Sequence, residues 1–167
     1  MSRLRIVLPF AVTVAVAAGI AIGLAWHSRQ VLDSVETVII EDADLDFQAR
    51  LDTGAVVSSI NALELEVIGG GERPSRDDVG KPLSFVLVNH RGEKRRLSRP
   101  IEQVRGIRSA DCREVRYHVY LNVRFRGETT RILMNLNDRT RSGEKLLLGR
   151  NWLGSRWLVA TTMDKSL

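Results

Sequence analysis

The chain has 167 residues and a formal net charge of +5, but its excess positive charge is concentrated at the N-terminus. Residues 1–29 hold three of the 25 basic residues and none of the 20 acidic ones, so residues 30–167 carry 22 minus 20, a net charge of +2. This near balance does not favour a nucleic-acid partner. Cys112 is the only cysteine, so an intramolecular disulfide is excluded and stability must come from a hydrophobic core.

The N-terminal segment predicts a membrane anchor. Residues 6–26 form a run of 21 residues in which Thr13 is the only polar side chain. A helix that rises about 1.5 Å per residue can span a hydrocarbon core about 30 Å thick with such a run. Arg3 and Arg5 favour a cytoplasmic N-terminus, which sends the remainder outward. A cleaved signal peptide is the alternative, although signal h-regions usually run only about 7–15 residues.

We therefore expect residues 1–29 to form a single transmembrane signal anchor. Residues 30–34 are predicted to be a short polar stalk, and residues 35–167 a single domain, because about 130 residues suit one hydrophobic core.

Beyond the stalk, the apolar residues recur with the period of β-strands. Strands are predicted around residues 35–40, 45–51, 63–67, 85–88, 115–125, 130–136 and 146–148. The clearest is 115–125, where every odd-numbered residue is apolar, and the turn Arg126-Gly127-Glu128 joins it to the next strand in a hairpin. Asn151 is predicted to cap one helical turn that contains Trp152 and Leu153. The domain is therefore expected to be all-β with one short C-terminal helical turn.

Two polar stretches are predicted to lie on the surface. Residues 69–81 contain four glycines and a proline, which is typical of an exposed loop. The basic cluster from Arg91 to Arg99 contains no aromatic residue and is interpreted as the solvated face of a hairpin that turns at residues 89–92, with contact to anionic lipid headgroups as the alternative.

The segment Leu51-Asp52-Thr53-Gly54-Ala55 delivers a carboxylate from the end of a strand into a tight turn. Gly54 permits the turn and lets peptide N–H groups approach the carboxylate, and the Thr53 hydroxyl can brace it. Taken alone, the tripeptide fits an ordinary Asx turn equally well. Its context favours a functional role over an ordinary turn, because a second β-type segment follows directly at residues 56–60.

A second motif follows later in the chain, where apolar residues 146–148 lead into Gly149-Arg150-Asn151 and then Trp152. In this order the two motifs resemble those of the retropepsin-like aspartic proteases. The resemblance is closer to a bacterial branch formerly labelled ATP-dependent zinc proteases, and it covers roughly residue 35 to the C-terminus. The segments that carry it are Asp52-Thr53-Gly54-Ala55, Ser58-Ser59, Asn61-Ala62, Asn137-Asp138-Arg139 and Leu147-Leu148-Gly149-Arg150. The chain departs from the branch at Val57, Tyr117 and Asn137, where Thr, Pro and Thr are common.

The resemblance implies a closed acid-protease barrel and an aspartic-type endopeptidase that acts on peptide or protein substrates without a cofactor. Asp52 is expected to be the catalytic residue, and Thr53, Gly54 and Ala55 to support the active-site loop. Gly149, Arg150 and Asn151 are expected to form a structural motif beside it. Because one chain supplies one Asp-Thr-Gly, the resemblance implies a homodimer whose two Asp52 carboxylates form a dyad. In a bacterial cell, the anchor would place this domain in the periplasm, tethered to the inner membrane.

The sequence also suggests a flap and an ion pair. Val104 to Arg113 is a candidate flap with Gly106, Ser109 and Asp111 near its tip, and an ordinary surface hairpin is the alternative. Asp138 or Glu114 is expected to form an ion pair with Arg150. A solvated surface position is the alternative for Asp138 and Arg139.

The chain has little that points to other chemistry. His27, His90 and His118 are far apart in sequence, so a zinc site is not expected, and His118 is expected to be solvated on the polar face of its strand. The rival function comes from another class of protein. The same barrel could serve as a non-hydrolytic peptide-binding or regulatory module of the cell envelope.

Overall fold

The computed structural model describes residues 30–71, 74–108, 113–154 and 157–160. The strands are β1 (Gln30–Leu32), β2 (Val35–Ile40), β3 (Leu45–Leu51), β4 (Ser58–Val67), β5 (Pro82–Val88), β6 (Lys94–Pro100), β7 (Gln103–Arg108), β8 (Arg113–Phe125), β9 (Glu128–Asn137), β10 (Leu146–Leu148) and β11 (Trp157–Val159). A 3₁₀ turn (Arg76–Asp78) and the short helix α1 (Arg150–Leu153) complete these elements. The predicted anchor lies outside the described residues. Within them, no helix has the length and apolar character needed to cross a bilayer.

Six strands close into a barrel in the order β3–β2–β8–β9–β4–β10 and back to β3. The short strand β10 closes it, since it pairs in parallel with β3 and antiparallel with β4. The pair Leu51↔Leu148 therefore brings the end of β3, next to Asp52, beside the start of the Gly149 motif. The closed all-β barrel that the sequence predicts is confirmed.

The alternating residues of these strands fill the barrel. In β3 and in residues 119–125 of β8, the apolar side chains alternate with polar ones and point inward, as predicted. Burial of each large side chain contributes about 1.5–3 kcal/mol relative to exposure. Core members include Val38, Ile40, Phe47, Ala49, Ile60, Val119, Leu121, Val123, Met134, Leu136, Leu146 and Leu148.

Two strands are longer than the barrel and carry additions to it. The first part of β8 pairs with β7, from Arg113↔Arg108 to His118↔Gln103. The last part of β4, from Ala62 to Val67, pairs with β5, which in turn pairs with β6. The basic cluster lies mainly on the exposed edge strand β6, as the solvated hairpin face predicted from the sequence.

The segment predicted to be a stalk belongs to the folded domain in part. Residues 30–32 form β1, which pairs in parallel with β11, and Leu32 is only 1% exposed. Trp157 of β11 contacts the rings of Phe125 and Trp152, with centroids 5.6 and 6.0 Å away. The sequence did not predict β1 because a three-residue strand is too short to show an alternating pattern and because its partner strand comes from the other end of the domain.

The loop predicted at residues 69–81 is exposed in most places but is anchored by one buried carboxylate. Asp78 accepts hydrogen bonds from the Tyr117 hydroxyl at 2.8 Å and from Lys81 Nζ at 2.9 Å. Lys81, the Ser75 amide and Tyr117 lower the pKa of Asp78 to about 2. Burial and the hydrogen bond to Asp78 raise the pKa of Tyr117 to about 12. The base of the loop is thereby fastened to β8.

Candidate active site

Asp52 sits directly after β3, where its backbone N–H donates to Leu148 O at 2.9 Å. Its carboxylate oxygen Oδ1 accepts the N–H groups of Gly54 at 2.8 Å and Ala55 at 3.1 Å. These bonds fix the side chain in an Asx turn. Within the described residues Oδ2 accepts no hydrogen bond, and Asp52 is only half-buried. One oxygen therefore orients the group and the other remains available for a water or a substrate.

The close approach of the Asp52 carboxylate favours glycine at position 54. A Cβ on Gly54 would lie 3.2 Å from Asp52 Oδ1, which is tighter than most such contacts. Thr53 and Gly54 are exposed and Ala55 is half-buried, so the loop presents its tip to the surface.

The Gly149 motif packs directly against this loop. The N–H of Arg150 donates to Ala55 O at 2.8 Å, and the N–H of Asn151 donates to Val56 O at 3.3 Å. A Cβ on Gly149 would meet Ala55 O at 2.8 Å, so only glycine allows the two backbones to come this close. The structure brings the two motifs together as the sequence predicts.

A side-chain network that the sequence did not reveal locks the same contact. Ser58 is fully buried, and its hydroxyl donates to Asn151 Oδ1 at 2.8 Å and accepts the Gly149 N–H at 3.0 Å. The Ser58 N–H also donates to Asn151 Oδ1, and Asn151 Nδ2 donates to Leu133 O at 2.7 Å. Asn151 therefore does not cap the helix. Its predicted capping role is wrong, since Gly149 occupies that position without a side-chain bond.

The polar network continues away from the loop along β9. Asn135 Oδ1 accepts the Ser59 hydroxyl at 2.8 Å, and its Nδ2 donates to Ser58 O at 3.0 Å. Arg116 of β8 donates to the same Asn135 oxygen at 3.3 Å. The only hint in the sequence was the Ser58-Ser59 pair, because Asn135 lies in a strand that reads as an ordinary alternating segment.

The charged residues predicted near the site have other partners than those expected. Asp138 accepts the N–H and hydroxyl of Thr140, which lower the pKa of its carboxyl, and Glu114 forms an ion pair with Arg116 at 2.7 Å. Arg150 is exposed, and no carboxylate of the described residues lies within 4.0 Å of its guanidinium.

Arg139 is a half-buried cation in the segment that follows β9. Its N–H donates to Asn61 Oδ1 at 2.7 Å and its Nε donates to Glu144 O at 3.3 Å. Burial, with smaller contributions from Arg116 and Arg50, lowers the pKa of this guanidinium, and the charges of Glu144 and Asp52 oppose the shift.

The predicted flap corresponds to the β7–β8 hairpin. Its arms pair in continuous register, and Gly106 lies opposite Val115 in the exposed part of β7. Ser109 and Asp111, expected at the tip, lie outside the described residues.

His118 does not occupy the solvated position expected from its strand face. It is only 2% exposed, where β7 and β9 flank β8 on both sides, and burial lowers its pKa. It faces Gln103 and Asn135 as register partners.

The closed barrel with a strand-end Asp-Thr-Gly loop clamped by a Gly-Arg-Asn helix turn defines the class of retropepsin-like folds. A crystal structure with this fold is that of Lpg0085, a protein of unknown function (DUF785) from Legionella pneumophila subsp. pneumophila str. Philadelphia 1. It is similar with a TM-score of 0.63 and 23% sequence identity, over 81% of this chain and 96% of that one. No curated protein is significantly similar in sequence.

Residues 31–164 match the family model RimB-like, described as retropepsin-like aspartic endopeptidase RimB. The chain therefore belongs to the RimB-like family of retropepsin-like aspartic endopeptidases. The match begins in β1, so the segment predicted as a stalk lies almost entirely within the family domain.

Proposed function

We propose that the protein is an aspartic-type endopeptidase in which Asp52 is the catalytic residue. The proposal rests on how the Asp52 carboxylate is held. One oxygen is fixed by two peptide N–H groups, the other is free within the described residues, and the loop around it is clamped by the Gly149 motif. Preorganisation of this kind is what a catalytic group needs.

The chemistry requires a second carboxylate, and we propose that a second copy of the chain supplies it. Two Asp52 side chains that share one proton titrate as a pair, because like charges in close proximity cannot both ionise. The ionised member would take a proton from a water that attacks the scissile carbonyl, and the protonated member would polarise that carbonyl. Thr53 of each chain would brace the paired loops across the dimer axis.

Exposed apolar side chains support the proposed homodimer. Val56, in the same loop as Asp52, is 60% exposed. Val31 and Leu158 are register partners on the outer face of the β1–β11 sheet and are 60% and 46% exposed. Large exposed apolar side chains are typical of association surfaces. A two-fold axis that pairs Val56 with its copy would bring the two Asp52 loops together, because Val56 lies in the same loop as Asp52.

Cleavage of a diverse peptide library by the purified full-length chain tests the activity, from about pH 3 to about pH 8, since a dyad titrates within or near this range. Asp52→Asn keeps an oxygen for the Gly54 and Ala55 N–H groups but removes the charge, so we expect loss of cleavage with an intact fold. Asp44→Asn is the matched control, because Asp44 is an exposed carboxylate elsewhere and asparagine tolerates its positive φ of 47°. Cleavage that survives Asp52→Asn would exclude Asp52. No cleavage at any pH by folded, dimeric protein would favour the non-hydrolytic peptide-binding module.

Mixing experiments test the shared dyad separately. When wild-type chains are mixed and re-equilibrated with Asp52→Asn chains, a dimeric site predicts that activity falls with the square of the wild-type fraction. A complete site within one chain predicts a linear fall instead. Sedimentation equilibrium of the same samples gives the oligomeric state directly.

We further propose that the domain is tethered to the inner membrane and faces the periplasm. The apolar run at residues 6–26, preceded by Arg3 and Arg5, supports this topology. Protease treatment of spheroplasts tests it: the domain should be digested there and protected in intact cells. Protection in spheroplasts would contradict the proposed orientation.

A further inference from the structure

A groove of about 630 Å³ lies apart from the Asp52 loop, between the last part of β4 and the first part of β8. Leu136 and Asn137 at the end of β9 and Tyr117 of β8 also line it, as do Gly70, Gly71 and Pro74 of the loop that follows β4. The volume is within the range of about 300–1,000 Å³ typical of ligand sites. Asp52 is not among the lining residues, so the groove is a separate feature of the surface.

Both walls of the groove are strand edges with free backbone groups. From Ala62 to Val67, β4 pairs with β5 on one side, and its β9 pairing ends at Asn61. From Arg113 to Tyr117, β8 pairs with β7 on one side, and its β9 pairing begins only at His118. Within the described residues, the two edges that face the groove thus have no strand partner. Such edges are templates for an added strand.

A local distortion in β4 lies on one of these edges. The β4–β5 register shifts between Leu63 and Glu66, and Glu64 has a φ of 53°, which is uncommon for a residue with a side chain. Bulges of this kind bend a strand, interrupt its pairing and re-aim its side chains, and they often occur next to binding sites. Leu65, in the bulge, is 39% exposed, and Val115 on the opposite wall is 44% exposed.

The groove carries a net negative charge, whereas the chain carries a net positive charge. Its charged lining residues are Glu64, Glu66, Glu114, Asp138 and Arg116. Two of the acids are neutralised, since Glu64 pairs with Arg96 and Glu114 with Arg116. Within the described residues Glu66 and Asp138 have no ion-pair partner, so two negative charges remain in a chain whose net charge is +5.

We propose that this groove binds an extended, basic segment of the peptide substrate, at a distance from the bond that is cleaved. The free edges supply main-chain hydrogen bonds, Leu65 and Val115 supply apolar contact, and the two unpaired carboxylates select lysine or arginine. The proposal rests on the proposed peptidase function, because it names the class of substrate segment that the same protein holds. Arg116 lines the groove and also bonds Asn135, so an occupant would contact the polar network that supports the Asp52 loop.

Binding is tested apart from cleavage, with the full-length Asp52→Asn chain. The probes are fluorescein-labelled peptides that alternate valine with lysine, and matched peptides with glutamate in place of lysine. We expect saturable binding of the lysine peptides, measured by fluorescence anisotropy, and weakening as salt is raised. No binding of the lysine peptides, or equal binding of the glutamate peptides, would overturn the proposal.

Two sets of changes test the groove itself. Glu66→Gln and Asp138→Asn should each weaken binding of the lysine peptides about two- to fivefold at low salt, whereas Asp44→Asn should leave it unchanged. Asp138→Asn keeps an oxygen for Thr140, so its fold should be intact. N-methylation of a central peptide amide should weaken binding about three- to tenfold, through a lost strand hydrogen bond. Insensitivity to the groove variants or to N-methylation would place binding elsewhere.

The two proposals fail in different ways. If lysine peptides bind in the groove but the chain has no peptidase activity, the proposed function is refuted and the proposed role of the groove is retained. If wild-type cleavage depends on Asp52 but is unaffected by Glu66→Gln and by the lysine content of the peptide, the proposed function is retained and the proposed role of the groove is refuted.

Discussion

Replacement of Gly149 by alanine would test whether the backbone contact between the Gly149 motif and the Asp52-Thr53-Gly54 loop fixes Asp52. The backbone at Gly149 has φ −91° and ψ −172°, an extended conformation open to any L-residue, so the cost of a side chain is steric. The added Cβ would lie 2.8 Å from Ala55 O and 3.1 Å from the carbonyl carbon of Val57. Close carbon–oxygen contacts begin near about 3.3 Å, so the two backbones must separate by roughly half an ångström. Overpacking of this kind costs about 1–3 kcal/mol of unfolding free energy.

The same displacement should reach the Asp52 carboxylate, which we propose to be catalytic, because the Ala55 N–H donates to Asp52 Oδ1. Misplacement of a catalytic group by about 1 Å can cost about 100-fold in rate, so we expect kcat/KM to fall roughly tenfold. Urea unfolding and peptide cleavage measure the two effects. Gly143→Ala is the matched control, since no atom lies within 4 Å of its added Cβ. If Gly149→Ala were as stable and as active as Gly143→Ala, the clamp would not position the site.

Three further predictions concern stability. Ser58→Ala removes a buried hydroxyl that both donates and accepts, and should cost about 1–3 kcal/mol in urea unfolding, whereas a loss below about 0.5 kcal/mol would contradict its role. Burial lowers the pKa of His118 in the folded chain. At a pH below the usual histidine pKa, the unfolded chain therefore binds a proton that the folded chain does not. The Tm should therefore fall as the pH is lowered from about 7 to about 5, and His118→Gln should flatten that fall. Lys81 and Tyr117 help to hold the pKa of Asp78 at about 2, so stability should be lost as the pH falls from about 4 to about 2. Tyr117→Phe should lower the Tm at neutral pH and shrink this acid-dependent loss; an unchanged pH profile would exclude the coupling.

The parts of the fold and site that could be predicted from the sequence are those that depend on local patterns. The strict alternation in β3 and β8 reflects one face turned to the core, and the Asp52-Thr53-Gly54 turn is formed by neighbouring residues alone. Such features depend on a few consecutive residues, so they can be read without knowing what lies opposite. The pairing of the two motifs was foreseen through the family resemblance.

What the sequence did not predict depends on partners that are distant along the chain. Asn151 carries the pattern of a helix cap, but its amide bonds Ser58, 93 residues away, because the closed barrel brings them together. His118 alternates with apolar residues on the side of its strand that carries Arg116 and Asn122, yet β7 and β9 flank its position and it is buried. β1 was predicted as a stalk because its partner β11 follows only at the end of the domain.

The same long-range contacts tie the Asp52-Thr53-Gly54 loop to the closure of the barrel. Asp52 is held on one side by its own turn and on the other by β10 and the Gly149 motif, which join the structure only when β10 inserts between β3 and β4. A chain that has formed the hairpins but not this last closure would have the Asp-Thr-Gly turn without its clamp. Local opening of β10 should therefore disorder the site before the β8–β9 hairpin, whose register is continuous from His118 to Phe125. The hydrogen bonds that hold the Asp52 loop are therefore expected to form only in the completely folded domain.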